Sequence, residues 1–94
     1  DYSKDQYLHK LVGYDVEENS LLWHACTMVW DLPVEGSMPN SLDVALLLSE
    51  LGCDETTLIV ALLSSSRLMH DADLIEVKRV FGADILTLVQ SVLQ

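Results

Sequence analysis

The chain has 94 residues, half of them hydrophobic, and its 15 acidic residues outnumber five lysines and arginines to give a formal charge of −10. Half-apolar composition excludes an acidic disordered tail, because such tails lack the residues that form a core. The acidic balance argues against nucleic-acid binding, which needs a basic surface. The apolar runs are too short to span a bilayer. We therefore expect one globular domain without direct nucleic-acid or membrane contacts.

Helical periodicity predicts the first three elements. A helix is predicted over about 3–12, and a second begins near Leu21, with Asn19 or Ser20 as its N-cap. Pro33 ends the second helix and begins a loop over 33–40. Asn40 or Ser41 then begins a third helix, which Gly52 terminates.

Three more helices are predicted in the second half of the chain. The fourth begins at Asp54 and is apolar nearly all round over 58–63, which is typical of a central, buried helix. It stops in the serine triplet 64–66. A fifth helix, capped by Asp71 or Asp73, ends at Phe81-Gly82, and a sixth follows from Asp84. No segment alternates with period two, so we predict an all-α bundle of about six helices.

The distribution of charge limits the substrates that the domain could bind. Lys and Arg are absent from 11–66, so a phosphorylated substrate would meet no cation in the middle of the domain.

Cys26 and Cys53 lie in apolar stretches and are interpreted as buried thiols of a reduced, cytoplasmic protein. The last apolar pattern has no helix stop signal and the chain begins at Asp1, so we expect a fragment of a longer protein.

Four stretches follow one family pattern in order and near-spacing: Asn-Ser-Leu-Asp-Val-Ala from Asn40, Leu-Gly-Cys-Asp-Glu-Thr-Thr-Leu from Leu51, Ala-Leu-Leu from Ala61, and Val-Phe-Gly-Ala-Asp-Ile-Leu-Thr-Leu-Val from Val80. Over about residues 21–94 the chain resembles the N-terminal HD-type (p)ppGpp hydrolase domain of the long RelA/SpoT stringent-response proteins. The resemblance does not extend into 1–20. It implies an HD-domain-like bundle without the C-terminal helices of the full domain.

The departures from that pattern imply loss of catalysis. Active members of the family hold Mn²⁺ with His and Asp side chains. The corresponding positions here hold Trp30, Asn40, Ser64 and Ser65, and the catalytic Glu-Asp pair falls on Leu68 and Met69. The resemblance therefore implies an inactive hydrolase domain without a Mn²⁺ cofactor.

Such loss is typical of the RelA branch, whose parent chains transfer pyrophosphate from ATP to GTP or GDP. The implied partner is the adjacent synthetase domain of the same chain, which this domain would hold or restrain. Ribosome contacts would come from the rest of the parent chain, in the bacterial cytoplasm.

Two alternatives remain open. An autonomous acidic interaction domain would expose Leu or Met on a helix face toward a basic partner. An atypical HD phosphohydrolase would use His70 and Asp71, with Asp73, as a weak metal site; a solvated helix N-cap is the simpler interpretation of this segment.

Two further motifs have simple structural interpretations. The serine triplet has no neighbouring base for a nucleophile and is expected to satisfy carbonyls at a helix end. Trp23 and Trp30 are seven residues apart on one helix face and are interpreted as core residues rather than a platform for stacking bases.

Overall fold

The computed structural model describes residues 3–31, 40–64 and 71–93, and every regular element in these ranges is an α-helix. The helices are α1 (Lys4–Val12), α2 (Leu21–Trp30), α3 (Ser41–Glu50), α4 (Glu55–Leu63), α5 (Asp71–Phe81) and α6 (Ala83–Leu93). The predicted all-α bundle of about six helices is confirmed for this part of the chain. None of these helices is long and apolar enough to cross a membrane. The predicted loop lies, up to residue 39, outside the described residues.

Polar side chains cap the N-termini of the first four helices, where the first backbone N–H groups lack partners within the helix. The caps are Ser3, Ser20, Asn40 and Asp54. Ser20 rather than Asn19 caps α2, and Asn40 rather than Ser41 caps α3. Asp54 accepts the Thr57 N–H at 2.9 Å, as the predicted start of α4 requires.

Gly52 ends α3 in the way that the sequence predicted. Its φ of +83° lies in the left-handed region that side chains disfavour. The Gly52 N–H donates to the Ser49 carbonyl at 3.0 Å, and the Cys53 N–H donates to the Leu48 carbonyl at 3.1 Å. These two bonds form a Schellman motif, which turns the chain directly from α3 into α4.

The helix α4 is the centre of the core. It packs against α2, α3 and α6, and its Leu58, Ile59, Leu62 and Leu63 are buried. All the buried side chains of the described ranges belong to one cluster, and that cluster contains no charged residue. The predicted central helix is confirmed, and the hydrophobic effect is the main force that joins the elements.

The first helix belongs to the same core, although the family resemblance leaves this segment out. Tyr7, Leu8 and Leu11 of α1 are buried. The Ser49 hydroxyl of α3 donates a hydrogen bond to the Leu11 carbonyl. The helix α1 therefore contributes three buried side chains to the core.

The last two helices differ from the prediction by single positions. Asp71 is the first helical residue of α5 and lies in its first turn, so the interpretation of Asp71 or Asp73 as the N-cap is wrong. The helix α6 begins at Ala83 instead of Asp84, directly after Gly82, whose φ is +90°. The pattern of apolar residues fixes the existence of these helices, whereas their ends depend on local hydrogen bonds.

We expect Leu62→Ala to lower the free energy of unfolding by about 2–5 kcal/mol, because it opens a cavity at a fully buried side chain of α4. The matched control is Leu47→Ala, which removes the same atoms from a side chain 58% exposed and should change stability by less than about 0.5 kcal/mol. Urea denaturation measures both. Equal losses in the two variants would contradict the central position of α4.

Candidate functional site

The six predicted site positions divide into two groups. Trp30, Asn40 and Ser64 lie in the described part of the chain. Ser65, Leu68 and Met69 lie outside it, as does His70 of the alternative metal site. Asp71 and Asp73 lie on α5. The geometry of the site can therefore be built from the first group.

Trp30 is the last residue of α2 and is half-buried. Its ring packs against the Tyr7 ring, with centroids 5.6 Å apart and planes inclined by 60°. This tilted arrangement is favourable for two aromatic rings. Trp30 therefore makes an aromatic contact between α1 and α2 and has the predicted packing role.

Asn40 fixes the start of α3. Its side-chain oxygen accepts the Leu42 N–H at 2.9 Å, and its backbone carbonyl accepts the N–H groups of Asp43 and Val44, both at 3.0 Å. The amide oxygen is therefore already used for capping. Asparagine is one of the residues that are common at helix N-caps.

Tyr7 joins Trp30 to the start of α3, and the sequence analysis did not predict this role. Its hydroxyl donates to the carbonyl of Leu42, two residues after Asn40, at 2.6 Å. Its ring contacts Trp30. Burial raises the pKa of the Tyr7 hydroxyl well above its ordinary value, and the nearby Cys26 and Asp43 raise it further. The spacing of Tyr7, Leu8 and Leu11 was the available signal for a buried face.

Ser64 lies at the end of α4. Its hydroxyl donates to the Val60 carbonyl at 2.5 Å, and its backbone N–H approaches the carbonyls of Val60 and Ala61 at 2.9 and 3.3 Å. The predicted role of this serine at the helix end is confirmed. The Ser64 hydroxyl is therefore directed back onto its own helix.

A groove of about 300 Å³ lies beside the first two helices. Its lining consists of Asp5, Leu8, Asp15, Val16, Glu18 and Trp23. The Lys4 ammonium lies 4.3 Å from the Trp23 ring centroid and donates to the Thr27 hydroxyl at 2.9 Å. Three carboxylates around the groove disfavour anionic ligands, so its electrostatics do not suit a nucleotide phosphate.

The two cysteines are free thiols in different environments. Cys26 is fully buried in α2, and burial raises the pKa of its thiol to about 11. Cys53 is half-buried at the turn after α3, so its predicted full burial is wrong. The Schellman turn carries Cys53 to the edge of the core.

Within the described ranges, no three His, Cys, Asp or Glu side chains are grouped so that they could hold a metal ion. No family model, curated protein or solved structure matches the chain. The side chains of the site supply the indole of Trp30, the capping amide of Asn40 and the capping hydroxyl of Ser64.

We expect Tyr7→Phe to lower the free energy of unfolding by about 0.5–1.5 kcal/mol near neutral pH, because the Leu42 carbonyl loses its donor. The folded state favours the protonated phenol, so this contribution is present below the ordinary tyrosine pKa near 10 and decreases as pH rises above it. The stability difference between wild type and Tyr7→Phe should therefore be constant up to about pH 9 and shrink as the pH rises above about 10.

Denaturant titrations at several pH values measure this difference. Tyr14→Phe is the control, since that hydroxyl is exposed and faces Glu55 at 3.3 Å; it should cost less stability than Tyr7→Phe. Parallel pH profiles for wild type and Tyr7→Phe would contradict the interpretation.

Proposed function

We propose that this chain is a catalytically inactive HD-type domain of a RelA-type (p)ppGpp synthetase, and that it acts on the adjacent synthetase domain by contact. The observation that carries the proposal is the use of Trp30, Asn40 and Ser64 for packing and capping. The RelA/SpoT resemblance puts these residues at family metal positions. Their contacts within the fold support a domain whose structure was retained after its chemistry was lost.

The donor atoms at these positions fit Mn²⁺ poorly, because Mn²⁺ prefers carboxylate, carbonyl and water oxygens and none of the three residues supplies a carboxylate. The Asn40 amide oxygen accepts a backbone N–H, and the Ser64 hydroxyl donates to a carbonyl. The indole of Trp30 has no lone pair for a metal. We derive no hydrolytic step through a metal at this site.

Charge supports the same proposal. Residues 11–66 contain no Lys or Arg, and the Lys4 ammonium already contacts Trp23 and Thr27. Hydrolysis of a guanosine polyphosphate needs cations to stabilise the phosphates. A domain that is acidic through its middle is better suited to contact the basic, nucleotide-binding surface of a synthetase.

A second candidate is an autonomous acidic interaction domain. One observation favours it: α3 leaves Leu47 exposed, and Leu51 directly after it is 72% exposed. The two candidates share a docking role and differ in the parent chain. A synthetase domain following this domain in the same polypeptide would favour the first candidate.

We expect no stoichiometric heat when Mn²⁺ or (p)ppGpp with Mn²⁺ is titrated into the chain in a calorimeter, because the three positions offer no suitable ligands. Metal analysis after dialysis should agree. Stoichiometric Mn²⁺ binding would overturn the proposal and would direct attention to His70, Asp71 and Asp73. His70→Ala would then identify the site.

The matched positive control restores the family residues: Asn40→His, Ser64→His, Ser65→Asp, Leu68→Glu and Met69→Asp together. This variant should gain Mn²⁺ binding before it gains hydrolysis, because ligand identity alone does not position a substrate. Loss of the Asn40 cap should lower its stability by about 1 kcal/mol. Circular dichroism checks that the variant is folded before its titration is interpreted.

Deleting this domain from the parent chain should change basal or ribosome-stimulated (p)ppGpp synthesis, because a restraining contact is removed. Synthesis from ATP and GDP, measured with and without stalled ribosomes, is the readout. Unchanged rates under both conditions would contradict the proposed regulatory role, whatever the result of the metal titration.

A further inference from the structure

The composition of α3 does not match its burial. Leu, Val and Ala occupy six of the ten positions in α3, a composition typical of helices that are surrounded by protein. Yet Ala45 is its one fully buried residue, whereas α4, of similar composition, buries four. The helix α3 therefore presents apolar side chains that the described part of the fold leaves uncovered.

The exposed side chains of α3 form one face. Leu47 and Leu51 are four positions apart, so they are neighbours on the helix surface, and they are 58% and 72% exposed. Asp43 precedes Leu47 by four positions and Glu50 follows it by three, and both carboxylates are exposed. We name these four residues the α3 stripe. From Asp43 to Leu51 the stripe is about 12 Å long.

The surroundings of the α3 stripe are acidic. Asp54 and Glu55, both exposed, follow directly after the turn at Gly52, and Glu55 also accepts a hydrogen bond from the exposed Tyr14 hydroxyl at 3.3 Å. Lys and Arg are absent from the sequence between residues 11 and 66. A leucine pair among carboxylates is complementary to apolar residues that lie among cations.

We propose that the α3 stripe docks a basic amphipathic helix of a protein partner. The leucine pair packs between the apolar side chains of that helix, and Asp43 and Glu50 meet Lys or Arg about two turns apart on it. This inference deepens the proposed function and rests on the docking role stated there. A second copy of the chain is a poor occupant, because two domains of charge −10 repel each other.

The helix α6 also has an exposed apolar pair, but the charges around it are less suited to a basic partner than those around α3. Leu88 and Val92 form a similar exposed pair on α6, with one carboxylate, Asp84, four positions before Leu88. The adjacent α5, however, ends with exposed Lys78 and Arg79. The charge around the α6 pair is therefore mixed, and this pair provides a control of equal apolar character.

The test uses a fluorescein-labelled synthetic peptide of about 18 residues, built of Leu and Lys with Leu at positions i, i+3, i+4 and i+7. Fluorescence anisotropy with the whole chain should show saturable binding whose Kd rises at least about tenfold between about 50 mM and 500 mM salt. A peptide with Glu in place of Lys should not bind. Absence of saturable binding of the Lys peptide overturns the proposal.

Paired variants locate the binding surface. Leu47→Ala with Leu51→Ala should raise the Kd at least about tenfold, whereas Leu88→Ala with Val92→Ala should change it less than about twofold. Asp43→Asn with Glu50→Gln should weaken binding more than Glu17→Gln with Asp84→Asn, which removes the same charge elsewhere. These positions are exposed, so the variants should fold, and circular dichroism checks that they do. Equal effects of the matched pairs overturn the proposal.

Sedimentation velocity tests the competing occupant. A monomeric wild-type chain supports a separate partner, whereas a dimer that Leu47→Ala with Leu51→Ala dissociates would assign the stripe to a second copy and overturn the proposal. The peptide readout is independent of the Mn²⁺ and (p)ppGpp titrations. Failure of the peptide to bind would therefore contradict the proposed docking role of the α3 stripe. Stoichiometric Mn²⁺ binding would instead contradict the proposal that the domain is an inactive hydrolase.

Discussion

The burial of α4 is the constraint on which the rest of the structure depends. A helix that is apolar on nearly every side must be surrounded by other elements to remove its surface from water. The helices α2, α3 and α6 surround it, and the Schellman turn at Gly52 joins α3 to it directly. With this helix enclosed, the described core needs no buried charge, and its stability does not depend on an internal ion pair.

Tyr7 connects this core to the candidate site. Its ring packs on Trp30 at the end of α2, and its hydroxyl bonds to the Leu42 carbonyl at the start of α3. Trp30, one of the positions that the resemblance assigns to metal binding, is thereby packed against a side chain of α1 that also bonds to the start of α3. Aromatic packing and backbone capping at this site contribute to stability, because the Asn40 amide oxygen and the Ser64 hydroxyl already have partners within the fold.

The acidic charge and the exposed leucines give the domain an asymmetric surface. The helix α3 buries one face against α4 and presents Leu47 and Leu51 to solvent among carboxylates. Exposed apolar residues lower solubility, and grouped ones often mark a binding surface. Charged residues around them limit non-specific association. The combination suits recognition of a partner that is both apolar and basic.

The sequence by itself determined the helices and the central position of α4, because apolar periodicity and the capping residues Ser20, Asn40 and Asp54 are local signals. Only the tertiary structure decided that Tyr7 joins Trp30 to the Leu42 carbonyl. The exposure of Leu47 and Leu51 also could not be predicted from the sequence. The apolar composition of α3 indicates burial, whereas in the structure the neighbouring helices cover only one side of it. Contacts between residues distant in the chain depend on how helices pack, and periodicity carries no information about which partner a face receives.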